Sequence, residues 1–153
     1  MIEGIPGPVV RRPMRSLSVA ASGLTAQRTR IDVIAQNIAN AETTSGVDGG
    51  PYRRKTVELR EAGSPGVLLR RFADGGREPL GGVTVAGVRE DASVGQFVYD
   101  PGHPDADEGG YVMMPNVSIT DEMISMMDAR RLFEANASVF EAVKAMLRRA
   151  TQL

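Results

Sequence analysis

Apolar residues recur at every seventh position near both ends of this 153-residue chain, and that spacing constrains the fold more tightly than anything else in it. Toward the amino end Leu17, Leu24, Ile31 and Ile38 keep the interval. Ala20, Ile34 and Ala41 follow three positions behind, with Gln27 as the polar interruption. Toward the carboxyl end Ile119, Met126, Phe133, Phe140 and Leu147 do the same, with Met123 and Ala137 at intermediate positions. A seven-residue repeat is the period at which one helix face keeps meeting a facing helix. Neither segment contains proline, and Gly23 is the single glycine in the first, so residues 14–41 and 118–153 each read as one uninterrupted helix. Ser118 or Thr120, with Asp121 and Glu122 behind them, supplies an N-cap and an acidic first turn for the second.

Residues 42–117 have a different character. Most of the glycines and prolines lie here, between short β-prone runs: "YRRKTVELR" (52–60), "GVLLRRF" (66–72), "GVTVAGVRE" (82–90) and "GQFVYD" (95–100). They predict a small β-rich insert with long loops. Residues 1–13, with Pro6, Pro8 and Pro13, read as a disordered extension, or as a mis-assigned start with Met14 the initiator. The expected fold class is α+β. Long terminal heptad helices pair as a coiled-coil-like α-domain, and the β-rich insert stands between them.

Composition narrows the function by exclusion. The net charge is −1, and no third of the chain is strongly basic, so a nucleic-acid partner is not expected. No apolar run is long enough to span a bilayer or to act as a cleaved secretory signal, and direct membrane insertion is not expected. There is no cysteine, hence no thiolate chemistry. The single histidine, His103, lies in "DPGHPDADEGGY" near Asp105, Asp107 and Glu108. No second histidine or EF-hand spacing completes a metal set, so neither a metal nor a cofactor is expected. Ser22, Ser64 and Ser93 lie near glycines, but none sits in G-x-S-x-G. The chain reads as a non-enzyme. The two seams are longer than the insert can cover, which leaves apolar helix faces for other chains.

One detail needs a separate account. "IDVIAQNIANAETT" (31–44) ends the first helix yet carries Asn37 and Asn40, and asparagine is a poor residue for a helix interior. Asn40 is expected as a C-cap in the left-handed conformation. Asn37 is expected to hydrogen-bond backbone beyond the helix end, in this chain or a neighbour, and so to act as a joint between helix and insert.

"AASGLTAQRTRIDVIAQNIANAETT" (20–44) resembles the amino-terminal motif of the bacterial flagellar axial proteins, the rod and hook family. "YDPGHPDADEGGYVMMPNV" (99–117) and "EMISMMDARRLFEANASVFEAVKAM" (122–146) resemble, more narrowly, the proximal rod proteins of that family. The resemblance implies a structural subunit of the flagellar basal body, non-enzymatic and needed for motility. Its terminal helices would polymerise with copies of the chain and with other rod proteins into a tubular drive shaft spanning the periplasm, with the insert further out. It also implies export by the flagellar type III apparatus without a cleaved signal peptide. Carried onto this chain, the assembly interface comprises Leu17, Leu24, Ile31, Ile38, Ile119, Met123, Met126, Phe133, Phe140 and Leu147. Alternative readings are a secreted coiled-coil adaptor or effector of a type III system, and a metal-dependent enzyme centred on His103.

Overall fold

The computed structural model describes residues 8–46, 49–63 and 81–152. The fold is α+β. Helix α1 (Pro8–Ala39) is followed by strands β1 (Lys55–Glu61), β2 (Val83–Glu90), β3 (Phe97–Tyr99) and β4 (Tyr111–Met113), and helix α2 (Ile119–Thr151) closes the order. β1 pairs with β2 and β3 with β4, giving two two-stranded sheets. Asp91 N donates to Arg54 O and the Thr56 hydroxyl to Arg89 O, so β1 and β2 run antiparallel. β3 and β4 are antiparallel in the register Phe97 with Met113, Val98 with Val112 and Tyr99 with Tyr111.

The described residues gather into two compact units. The first takes its described residues from within Met1–Arg28, Leu59–Ala86 and Arg131–Leu153, the second from within Thr29–Glu58 and Gly87–Arg130. In the first, α1 approaches α2 closely at Gly23, where an added Cβ would stand 2.8 Å from the Asn136 side-chain oxygen. Ala20 and Ala26 are buried on the same stretch, and the Ser22 hydroxyl accepts from Val83 N at 3.1 Å, tying β2 to the helix. In the second unit the buried apolar residues are Val33 and Ile34 of α1, Ala41 just after it, Val112 of β4 and Ala129 of α2.

Several expectations are corrected. α1 starts at Pro8 rather than Met14, so residues 8–13 of the expected disordered extension are helical, while residues 1–7 lie outside the described residues. Pro8 suits a first helical position because the amide it lacks has no intrahelical acceptor there. The run 66–72 also lies outside the described residues. β4 was not anticipated, since "YVM" is short and follows a long polar loop. The buried stripe of α1 is rotated from the predicted one. Ala20, Gln27, Ile34 and Ala41 are buried as the seam requires, but Leu17, Leu24, Ile31 and Ile38 are only half-buried. In the first unit, close approach at Gly23 admits the small residues Ala20 and Ala26 and leaves Leu17 and Leu24 on the flanks.

The two helix ends are capped by different means. The Ser118 hydroxyl accepts from Asp121 N, making Ser118 rather than Thr120 the N-cap of α2. Asn40 does not take the expected left-handed C-cap conformation; among the described residues no non-glycine has positive φ. Its amide group instead donates back to Gln36 O at 2.8 Å, and the chain leaves α1 through the short-range bonds Ala41 N to Ile38 O and Thr43 N to Asn40 O. A side-chain donor satisfies a terminal carbonyl without the strain of a left-handed residue.

Candidate functional site

The end of α1 is built around Asn37, which is 1% exposed. Its amide nitrogen donates to Lys55 O at 2.8 Å and to Glu122 Oε2 at 3.0 Å. Its oxygen accepts from Lys55 N at 2.9 Å and from the Tyr52 hydroxyl at 2.9 Å. Both donors and both acceptor sites of the side chain are therefore used, all within one chain. One residue of α1 thus holds the first residue of β1, the segment leading into it, and the first turn of α2.

Glu122 is fully buried, and its charge is matched. Arg54 donates to Glu122 Oε1 from Nε at 2.7 Å and from a terminal nitrogen at 2.6 Å, while Asn37 serves the other oxygen. A buried carboxylate with three charge-matched or amide donors is stable where an unpaired one would not be. Arg54 N donates in turn to Asn116 Oδ1, and the Asn116 amide donates to Asp91 O, Ser93 O and the Ser93 hydroxyl. Burial, together with Glu90 and Glu122, holds the Tyr52 phenol above its ordinary pKa. Hydrogen bonds from Ser93 hold the exposed carboxyl of Asp91 below its own. Sequence reasoning singled out Asn37 but treated Glu122 as an ordinary first-turn acid and passed over Arg54 and Asn116. A carboxylate at that position is common on exposed helix starts, so nothing local marked it as buried.

The loop 100–110 between β3 and β4 uses its polar groups on itself. Asp107 Oδ1 accepts from Gly109 N and Tyr111 N, Asp100 Oδ1 from Gly102 N, and His103 Nδ1 from Asp105 N. Asp105 also accepts from the Thr44 hydroxyl at 2.7 Å, so the loop is fastened to the segment after α1. Among the described residues no three side chains converge as metal ligands, and no helix is long and apolar enough to cross a membrane.

The predicted seam is partly open. Ile119 and Met123 are exposed, and Leu17, Leu24, Ile31, Ile38, Met126, Phe133, Phe140 and Leu147 are half-buried. Of the 33 residues of α2, only Glu122 and Ala129 are buried. A second apolar row, absent from the predicted set, runs beside the first: Leu132, Val139 and Met146, at 47%, 52% and 64% exposure. Its seven-residue interval was visible in the sequence but was hidden by its neighbour, one position on at Phe133, Phe140 and Leu147.

Comparison with known proteins identifies relatives of the chain by sequence. Residues 17–46 match the family described as "Flagella basal body rod protein", and residues 108–153 match "Flagellar basal body rod FlgEFG protein C-terminal". These matches cover the end of α1 with its asparagines and all of α2. Flagellar basal-body rod protein FlgC of Borreliella burgdorferi is 44% identical over 144 residues, covering 88% of this chain and 93% of that protein. FlgC of Bacillus subtilis is 43% identical over 143 residues, 90% and 95% of the two chains. FlgC of Escherichia coli O157:H7 is 43% identical over 129 residues, 84% and 88%. With two long helices framing a small β insert and similarity running through nearly all of it, the chain belongs to the FlgC family of flagellar basal-body rod proteins.

Proposed function

We propose that the chain is a structural subunit of the proximal rod of the flagellar basal body. It polymerises through α1 and α2 with copies of itself and with other rod proteins into the tube that transmits motor torque, and it performs no catalysis. The observation that supports this most directly is α2, a 33-residue helix with two buried residues and a continuous apolar flank open along its length. A helix so sparsely covered by its own chain gains most of its packing from others. The assembly interface takes in Leu17, Leu24, Ile31, Ile38, Ile119, Met123, Met126, Phe133, Phe140 and Leu147, extended by Leu132, Val139 and Met146. Asn37 acts as the joint that fixes the direction in which the insert leaves the helices, and Asn40 closes the helix behind it. The subunit reaches the periplasm-spanning rod through the flagellar type III export apparatus.

Each large apolar side chain buried on assembly contributes roughly 1.5–3 kcal/mol before the entropy of ordering is subtracted. A strain carrying Phe133→Ala with Phe140→Ala is therefore expected to lose swimming, with the chain still made and exported and rods absent from isolated basal bodies. Normal rods in that strain would sink the proposal.

A further inference from the structure

We propose that the β3–β4 hairpin docks on the carboxyl-terminal half of α2 of a second copy of this chain. The contact rests on the rod-subunit reading and adds a defined surface pair to it. The chain has three tyrosines and four phenylalanines, and three of these seven, Phe97, Tyr99 and Tyr111, stand exposed on the hairpin. The register explains the arrangement. Val98 and Val112 are partners, and Val112 turns into the core; Phe97, Met113, Tyr99 and Tyr111 occupy the alternate positions and share the opposite face. There the rings of Tyr99 and Tyr111 meet edge to face, 5.2 Å between centroids. An exposed aromatic face of this kind is the composition of an interface centre rather than of ordinary surface.

Charge selects the occupant. The hairpin and its loop, residues 97–113, carry four acidic groups (Asp100, Asp105, Asp107, Glu108) and no lysine or arginine. Two exposed apolar stretches of α2 offer themselves. The first, around Met123, Ile124 and Met127, lies in residues 119–130, where Asp121 and Asp128 stand against the single base Arg130 and Glu122 is buried on Arg54, so its surface is acidic like the loop and would repel it. The second, Leu132, Val139 and Met146, lies in residues 131–152, with four basic groups (Arg131, Lys144, Arg148, Arg149) against two acidic. An aromatic centre with an acidic margin thus meets an aliphatic row with a basic one. The two surfaces differ, so the contact is heterologous, and repeating it extends a chain of copies rather than closing a dimer.

The absence of native cysteine makes the test clean. Full-length Phe97→Cys carrying a mass tag is mixed with untagged Val139→Cys and treated with a short bis-maleimide; the control mixture replaces Val139→Cys with Met123→Cys. All three positions are exposed, so the variants are expected to fold, and circular dichroism checks that they do. A several-fold excess of tagged–untagged heterodimer over the control, lost at about 1 M salt where the Debye length is about 3 Å, is the expected result. Equal heterodimer in both mixtures overturns the contact. So does a double variant, Phe97→Cys with Val139→Cys, that cross-links only within one chain and migrates as a compact monomer. Swimming of a deletion strain reads the rod assignment separately, and a non-motile deletion strain combined with equal cross-linking means that the contact alone has failed.

Discussion

Asn37 is the residue that ties the end of α1 to β1 and to the first turn of α2. Replacing it by alanine strips a partner from Lys55 N, Lys55 O, the Tyr52 hydroxyl and Glu122 at once. Each buried group left unsatisfied costs about 1–3 kcal/mol, so Asn37→Ala is expected to lower the urea midpoint by an amount equivalent to several kcal/mol. Asn37→Asp should be no better, because it replaces both donors and sets a second carboxylate beside Glu122. Arg54→Met leaves the Glu122 charge with one amide donor. The expected cost sits toward the lower end of about 3–5 kcal/mol, because the Arg54 side chain keeps 31% of its surface in water. Tyr52 adds a pH dependence. Its phenol titrates above the ordinary range when folded, so the stability it contributes is complete below the unfolded value of about 10 and is lost as pH rises through the folded one. Thermal melts from pH 9 upward are expected to fall more steeply for the native chain than for Tyr52→Phe.

Among the elements, the two helices and the hairpin answer to different constraints. In the first unit the α1 contact is set by Gly23, whose missing side chain leaves room for the Asn136 amide. Gly23→Ala alone gains helix propensity, about 1 kcal/mol, but must displace an amide that donates to Leu132 O at 2.9 Å, so its net effect is expected to be small. Gly23→Ala combined with Asn136→Ala removes the obstruction and should be more stable than Asn136→Ala by about that 1 kcal/mol, read by thermal unfolding. The hairpin has no such latitude at Gly95. A Cβ there would collide with the Met114 carbonyl, and Met114 N is already fixed to Gln96 O at 2.9 Å. Backbone cannot swing aside as a side chain does, so Gly95→Ala is expected to detach β3 from β4 and to expose Val112, detectable as lost hydrogen-exchange protection at β3 and β4.

For the whole molecule, the salient quantity is how little of α2 its own chain covers. A helix whose large side chains remain half in water is held chiefly by intrahelical bonds, and those open readily without tertiary packing. Amides in the carboxyl-terminal half of α2 are therefore expected to exchange fast in the isolated chain and slowly in assembled rods. Protection near Asn37 should be present in both. Equal protection of α2 in the two states would contradict assembly through that helix.

The sequence by itself determined the elements: two long helices, from uninterrupted seven-residue periodicity, and a β-rich insert, from alternation bounded by glycine and proline. Seven-residue spacing is a local property, fixed once the backbone is helical, so it was legible without knowing what the helices touch. Asn37 was legible for the same reason, as a residue at odds with its helix. What only the tertiary structure decided was which side of each helix is covered. At the close approach of Gly23 the small residues Ala20 and Ala26 turned inward and Leu17 and Leu24 stayed on the flanks, and the exposed row of Leu132, Val139 and Met146 emerged beside the predicted one. Tertiary structure likewise brought Arg54 to Glu122 across 68 positions of chain. Periodicity states that a face is apolar; what covers it, and whether a carboxylate at a helix start meets water or an arginine, depends on distances between residues remote in sequence.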